Sequence, residues 1–430
     1  MNPTRRHLLH QGLAASLLAP LSRLSVAAPA AGAARMADGG NRFVFMILRG
    51  GLCGLTAAPA IGDPAFAAAR GPLAQFAGDP LPLDSTFALN PLLPQLHALY
   101  GRGELAVLHA VGLPYRERSH FDAQQVLESG GQRPYELGTG WLARAMAHSG
   151  AGMKAVALQT AVPLVLRGAN DVDSWAPSVL PEPSLDLVAR LQLMYRQDPE
   201  LAQALARAKG LRAEPGVAAN MPANMSAQMP TPMPAGMPTG MPAGTPAGMG
   251  AAAAGSTAGR AAVVGLARKA ADFLQRGSQV AVLEMSGWDS HANQALPQGA
   301  LSNNLRMLDA ALAALHEGLL LHNTWGRTVV LVATEFGREV AVNGTQGTDH
   351  GSGGTAFVLG GAVKGGRVWA DWPGLAAKDR FEGRDLRVTT DIRSALRGIL
   401  ADHLHVSRAA LDGVVLPGSA SLRPLELVKT

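Results

Sequence analysis

The stretch from Trp325 to Gly354, WGRTVVLVATEFGREVAVNGTQGTDHGSGG, leaves the chain few choices of fold. Its run Thr328-Val329-Val330-Leu331-Val332 is short, apolar and β-branched, which is the composition of a strand buried on both faces. Polar chemistry begins where the run stops. Glu335 and Arg338 come first, then a Gly/Asn loop from Asn343 to Gly347, then Asp349-His350-Gly351. Open α/β sheets bind ligands outside the carboxyl ends of their strands. A carboxylate there, joined by an Asp-His pair on a glycine loop, makes half of a metal site. A capped strand end with a surface loop accounts for the same residues.

The rest of the chain repeats this grammar. Phe43–Leu48, Leu105–Val111, Ala155–Leu158, Gln279–Leu283 and Ala356–Leu359 read as further strands. Helical spacing runs through Pro91–Tyr100, Ser119–Ser129, Trp141–His148, 184–209, Arg260–Arg276 and Leu301–His322, and Thr390–Arg393 opens a last helix. Ser119 is a good N-cap type, and Gly130-Gly131 follows the end of that helix. Ala58–Pro91, rich in Pro, Gly and Asp, reads as irregular. Strands alternating with helices predict an α/β fold, a mostly parallel central sheet with helices on both faces.

Two segments fall outside that pattern. Residues 1–34 hold Arg5, Arg6 and Arg23 and no acid, and Thr4-Arg5-Arg6-His7-Leu8-Leu9 precedes a modest apolar stretch, Gly12–Leu21. This is the layout of a twin-arginine export signal with cleavage between Ala27 and Ala34, which makes the mature protein periplasmic or secreted. The apolar run is too short to span a bilayer, and no other run is long enough, so no transmembrane segment is expected in the mature protein. Residues 213–259 are the second exception: Pro215–Gly259 carries no charge, and Met recurs at 221, 225, 229, 233, 237 and 241. Frequent Pro and the lack of aromatic or branched residues predict a disordered insertion. Spaced thioethers can bind Cu(I); a tolerated repeat accounts for them as well. One α/β domain, 35–212 and 260–430, is then left.

Charge excludes one class of partner. Three of the cations behind the formal net charge of +5 lie in the first 34 residues. No basic cluster interleaved with aromatics appears elsewhere, so nucleic acid is not an expected partner. The single cysteine, Cys53, rules out an internal disulfide, and the fold must rest on its core.

Residues of metal-ligand type gather at successive strand ends: Cys53 after the first strand, Asp289 and His291 after Gln279–Leu283, and Glu335 after the organising strand. Asp349 and His350 sit in the loop beyond. In extended backbone the Asp289-x-His291 spacing points both side chains to one side. Carboxylate oxygens mixed with imidazole suit Zn²⁺, Mn²⁺ or Fe²⁺.

Six ordered motifs carry a resemblance. They are Arg49-Gly-Gly-Leu-Cys-Gly-Leu55, Ser119-His-Phe-Asp-Ala-Gln124, Gly287-Trp-Asp-Ser-His291, Thr334-Glu-Phe-Gly-Arg338, Gly347-Thr-Asp-His-Gly351 and Gly360-Gly-Ala-Val-Lys-Gly-Gly366. In these the chain resembles domain-of-unknown-function family 1501, twin-arginine-exported proteins distantly similar to the alkaline phosphatase and sulfatase superfamily. The resemblance implies an alkaline-phosphatase-like fold and an exported metal-dependent hydrolase of small phosphate or sulfate esters, working with one or two divalent ions, Zn before Mn or Fe.

It also implies roles. Ser119, at a helix N-terminus, becomes the nucleophile or a plain N-cap. His120 becomes a base or, with Asp122, a further ligand. Cys53, Asp122, Asp289, His291, Glu335, Asp349 and His350 form the metal set. Arg49, Arg116 and Arg338 become anion clamps or surface charges, with Arg338 the one assigned to catalysis. Cys53 stands where the family usually shows Asp, which shifts preference towards softer metals. The sequence Cys53-Gly-Leu-Thr-Ala57 also lacks the pattern for sulfatase formylglycine maturation. A non-catalytic periplasmic binding or assembly protein that keeps the fold is the alternative this departure opens.

Overall fold

The structure is a computed structural model that describes residues 40–150, 152–177, 183–212 and 257–429. The proposed export signal, 1–34, lies outside the described residues, as does the Met-rich insertion, 213–259, except for its last three positions, which open a helix. The strands are β1 (Arg42–Leu48), β2 (Leu81–Pro82), β3 (Ala88–Leu89), β4 (Leu105–Gly112), β5 (Ala155–Ala157), β6 (Val172–Ser174), β7 (Val280–Met285), β8 (Thr328–Thr334), β9 (Gly354–Leu359), β10 (Arg367–Trp369) and β11 (Thr390–Asp391). The principal helices are α1 (Pro94–Gly101), α2 (His120–Ser129), α3 (Trp141–His148), α4 (Leu185–Met194), α5 (Pro199–Arg212), α6 (Thr257–Gln275), α7 (Ala300–Leu321) and α8 (Ile392–Asp402).

The central sheet has the order β10-β4-β9-β8-β1-β7-β5-β6, with β11 also on β4, while β2 and β3 form a small separate hairpin. Strand β1 lies parallel to both β7 and β8, and β5 lies parallel to both β7 and β6. Strand β9 runs against its neighbours β4 and β8. The sheet is therefore mostly parallel, as the alternation of elements predicted. The apolar runs could not reveal the reversal at β9, because a strand buried on both faces reads the same in either direction.

Every residue of β1 is buried, and alternate residues feed different layers. Phe43, Phe45 and Ile47 join a core with α2, α3 and α8, in which the Trp141 ring meets Phe45 edge-on at 5.4 Å and Phe43 at 6.1 Å. Val44, Met46 and Leu48 join the opposite core, built on α1, α6 and α7. Helices cover both faces.

Two readings need correction. The helical pattern over 184–209 breaks into α4 and α5 at Pro199, which cannot continue a helix from the preceding turn. Its leucines are not buried either, since α4 has no buried residue. The stretch Ala58–Pro91, read as irregular, holds the β2–β3 hairpin and a short helix, Phe66–Arg70.

Register sets up the chemistry. Leu48 pairs with Met285 on one side and Thr334 on the other, so β1, β7 and β8 stop level with one another. Val111, near the end of β4, is opposite Gly354 at the start of β9. Because β9 is reversed, the loop entering it arrives at the same edge that the parallel strands leave. Four connections thus meet at one edge of the sheet: those carrying Cys53, His120 and Asp289–His291, and the β8–β9 loop that carries both Glu335–Arg338 and Asp349–His350.

Candidate metal centre

Four donors from three of these connections converge. His120 Nε2 lies 3.0 Å from His350 Nε2, and His291 Nε2 lies 3.1 Å from the same atom. Asp289 closes the group: its Oδ1 is 2.8 Å from His291 Nε2 and 3.1 Å from His350 Nε2, and its Oδ2 is 3.4 Å from His120 Nε2. The donor atoms of His120, Asp289 and His350 all lie within 4.8 Å of one another.

Each imidazole is fixed from behind by an acceptor of its own. His120 Nδ1 donates to Glu335 Oε1 at 2.7 Å, His291 Nδ1 to Asp349 Oδ1 at 2.9 Å, and His350 Nδ1 to the Arg118 carbonyl at 3.1 Å. Carboxylates and carbonyls only accept, so each Nδ1 carries a proton and each Nε2 faces inward, as a lone pair toward a bound ion or as an N–H toward Asp289 where the ring is protonated. Three lone pairs and a carboxylate at such separations repel unless a cation lies among them. Around a tetrahedral ion with bonds of about 2.0–2.1 Å, neighbouring donors sit about 3.3 Å apart. The residues fit a divalent metal of the Zn²⁺ type.

Without an ion, protons on the imidazoles offset the Asp289 charge instead. Burial works against an imidazolium at His120, but hydrogen bonds and charge from Asp289 and Glu335 outweigh it and raise the group to about 9. Burial likewise opposes ionisation of Asp289, and the bonds from His120, His350 and Arg338 overcome it, holding the carboxyl well below the usual range. The side toward solvent is open, because Asp289 and His291 are exposed. On the protein side the Phe336 ring lies 4.7 Å from the His120 ring and 5.2 Å from that of His350.

Glycines let the carrier loops approach. A Cβ on Gly347 would stand 2.2 Å from the His291 carbonyl carbon, and one on Gly351 would stand 2.4 Å from the Arg338 carbonyl carbon. The loop so admitted grips His291: Thr345 Oγ1 and Asn343 Nδ2 donate to its carbonyl oxygen at 2.6 and 2.9 Å.

The structure redistributes several roles expected from the sequence. Glu335 stands behind the ring of donors, 1% exposed, accepting from Gly50 N–H and Gln124 as well as from His120. Asp349 likewise supports His291, and that bond is the main cause of its lowered pKa. His120, assigned to catalysis, projects its Nε2 among the donors.

Arg338 is not a free anion clamp. It is 2% exposed, its Nη1 donates to Asp289 at 2.8 Å, and its other nitrogens are taken by Ser290 and Thr348. Through Nη1 alone it holds the Asp289 carboxylate by one charge-assisted bond. Arg49 is spent on Glu284 and Glu128. Arg116 differs: half-buried, it has no ion pair among the described residues.

Asp122 points elsewhere and accepts from Tyr115 Oη at 3.1 Å. Cys53 is also separate. Its Sγ is buried against Thr56 Oγ1 at 3.2 Å and accepts from Arg70 Nη2 at 3.2 Å. Burial pushes the thiol up, but the Arg70 charge, the Thr56 bond and Arg338 together bring it below its ordinary value. Ser119 occupies the N-cap position of α2, yet its hydroxyl makes no capping bond.

Sequence reasoning missed the supporting groups, Gln124, Phe336, the Arg118 carbonyl and Thr348. Gln124, Phe336 and Thr348 sit inside the six motifs, which was the one available signal.

Solved structures that the chain resembles include the sulfatase PsFucS1 from Pseudoalteromonas sp., at 12% identity over 92% of this chain and 72% of that one, with a TM-score of 0.41. A phosphonate monoester hydrolase from Silicibacter pomeroyi matches at 13% identity over 90% and 76%, with a TM-score of 0.34. A protein in the alkaline phosphatase superfamily from Vibrio parahaemolyticus matches at 11% identity over 75% and 61%, with a TM-score of 0.31. At such identities and scores the likeness assigns no role to any residue. No curated protein matches the chain. A family profile described as Protein of unknown function (DUF1501) matches residues 104–401, a span that takes in all four converging donors, and the chain belongs to that family.

Proposed function

We propose that the protein is an exported metal-dependent hydrolase of phosphate or sulfate esters, with its ion held by His120, His291, His350 and Asp289. The convergence of three Nδ1-anchored imidazoles on one carboxylate carries this reading. A divalent ion bound there supplies Lewis acidity toward a phosphoryl or sulfuryl oxygen. The chain's own residues do the rest. Glu335, Asp349 and the Arg118 carbonyl hold the imidazoles, and Arg338 holds Asp289. Ser119, next to a ligand and with a hydroxyl free of capping, is the proposed nucleophile. The first N–H groups of α2 favour the anionic group of the ester, and Arg116 is the remaining candidate to neutralise it. Among the described residues no helix is long and apolar enough to cross a membrane; export through the twin-arginine machinery rests on Arg5-Arg6 and the run after them.

A second reading, a periplasmic protein that holds metal without turnover, is favoured by one observation: Arg49 and Arg338 are fully engaged by carboxylates and carbonyls. Elemental analysis of purified protein combined with hydrolysis assays on aryl phosphate and aryl sulfate separates the two. The hydrolase holds a transition metal, loses turnover on chelation, and keeps its metal but not its turnover as Ser119→Ala. Metal without turnover in the wild type establishes the second reading, and a protein that takes up no transition metal overturns both.

A further inference from the structure

Asp385 lies at the centre of a buried hydrogen-bond hub behind His350, and none of its contacts is to a donor atom of the metal centre. Its carboxylate is completely buried. Oδ2 accepts from Arg118 Nε at 2.8 Å and from Ser352 Oγ at 2.8 Å, and Oδ1 lies 3.3 Å from Arg384 Nε. A tight turn fixes the residue itself: Phe381 and Asp385 exchange both backbone hydrogen bonds, at 2.9 and 3.0 Å, across Glu382 and Gly383 in left-handed conformations.

All three partners of this carboxylate bear on His350. The Arg118 carbonyl receives the Nδ1 proton of the His350 ring. Arg384 Nη2 donates to the His350 carbonyl at 2.8 Å. Ser352 is two residues beyond His350 in the same segment. Arg118 is also held at φ 59, a conformation that side-chain-bearing residues adopt only where their surroundings enforce it. The enforcing contacts include the Asp385 ion pair and a second pair with Glu382. One buried anion thus ties down the acceptor that sets the tautomer of the His350 ring, the cation that holds its backbone and the serine that follows it.

We propose that Asp385 is a positioning residue for the metal centre, acting on His350 through Arg118, Arg384 and Ser352. Of the imidazole supports it is the indirect one. Glu335 and Asp349 touch their rings, whereas Asp385 fixes the residue that touches the third. His350 Nε2 is within 3.1 Å of all three other donors, so a rotation of this ring disturbs the whole set. The inference rests on the proposed metal centre and not on hydrolysis.

The test is Asp385→Asn in the full chain, which keeps the shape and an acceptor oxygen but removes the charge. Zn²⁺ affinity is measured by competition with a chromophoric chelator, and the visible spectrum of the Co²⁺-substituted protein reports ligand geometry. Loss of an outer-shell partner costs about 10–100-fold in metal affinity, and a fall of that size with an altered Co²⁺ spectrum is expected. Lower thermal stability with unchanged affinity and spectrum would mean a purely structural role and overturn the proposal. Arg118→Met, at a partly exposed position, cuts the same link while keeping the carbonyl, and provides the test if the first variant does not fold. The same two changes are expected, and wild-type affinity and spectrum would overturn the proposal. A wild type that binds neither ion removes the underlying metal centre itself, a result distinct from a failure of Asp385 alone.

Discussion

Replacing Cys53 by alanine should destabilise the protein far more than the loss of one sulfur suggests, and replacing it by aspartate should not. Arg70 is 0% exposed and has no carboxylate within ion-pair distance among the described residues. Its Nη1 donates to the Val340 carbonyl at 2.8 Å, and its Nη2 donates to Thr56 Oγ1 at 2.9 Å and to Cys53 Sγ. Above pH 9, where the thiol is ionised, Cys53 is the negative charge that faces this buried guanidinium. Removing one partner of a buried pair costs about 3–5 kcal/mol, because the other charge stays behind uncompensated. Unfolding entropy of about 2.1 cal/mol/K per residue, over the described residues, makes that a fall in Tm of about 4–7 °C for Cys53→Ala at pH 9 and above.

Cys53→Asp restores a fixed anion and should unfold within about 1–2 °C of the wild type. The pH dependence has a definite sign. A thiol whose native pKa lies below its ordinary value of 9.0 adds stability that is fully present above that value. The contribution is lost as pH falls through the lowered native pKa. The gap between wild type and Cys53→Ala should therefore widen with rising pH up to about 9. Scanning calorimetry over a pH series measures this, and ultraviolet thiolate absorbance reports the ionisation directly. Equal stability of wild type and Cys53→Ala, or an aspartate variant as weak as the alanine one, would refute the ion-pair argument. Metal affinity should be unchanged in all three proteins, because Sγ is engaged away from the converging donors.

Two further expectations concern the centre itself. Glu335→Gln keeps an oxygen near His120 Nδ1 but removes the charge, so Zn²⁺ affinity should fall about 10–100-fold with the sheet intact; unchanged affinity in chelator competition would contradict the supporting role. Metal uptake should also strengthen with pH. In the metal-free chain His120 holds its proton to about 9, and an ion must displace it, so affinity should rise about tenfold per pH unit below that point and level off above it. The stability that the same raised pKa gives the metal-free chain runs the other way, fully present below 6.5 and lost as pH rises through about 9. A flat binding profile from pH 6.5 to 9 would show that His120 is not a ligand.

The edge of the sheet was legible because strand ends are written locally. The apolar runs Phe43–Leu48, Gln279–Leu283 and Thr328–Val332 locate the loops that follow them, and the Asp289-x-His291 and Asp349-His350 patterns supply donors within a few residues. What each polar side chain does there was not legible. Glu335 and His120 are separated by 215 positions, and only their meeting turns the carboxylate from a ligand into a support. Arg338 reads as a catalytic anion clamp, or else a surface charge, until Thr348, Ser290 and Asp289 are folded around it. Cys53 occupies a ligand-like place in the order of motifs, yet Arg70, in a stretch read as irregular, claims it. Local pattern names the donors; contacts across the sequence assign the roles.

His120, Asp289, His291 and His350 arrive from segments that meet only once β1, β4, β7, β8 and β9 are in register. No shorter piece of the chain brings all four together, so a nascent or unfolded polypeptide does not offer the complete set of donors. On the proposed reading, capture of the metal belongs at the end of assembly, as the step that seals a finished sheet edge. Refolding yield should accordingly be indifferent to metal supply, while the resistance of those loops to proteolysis should depend on it.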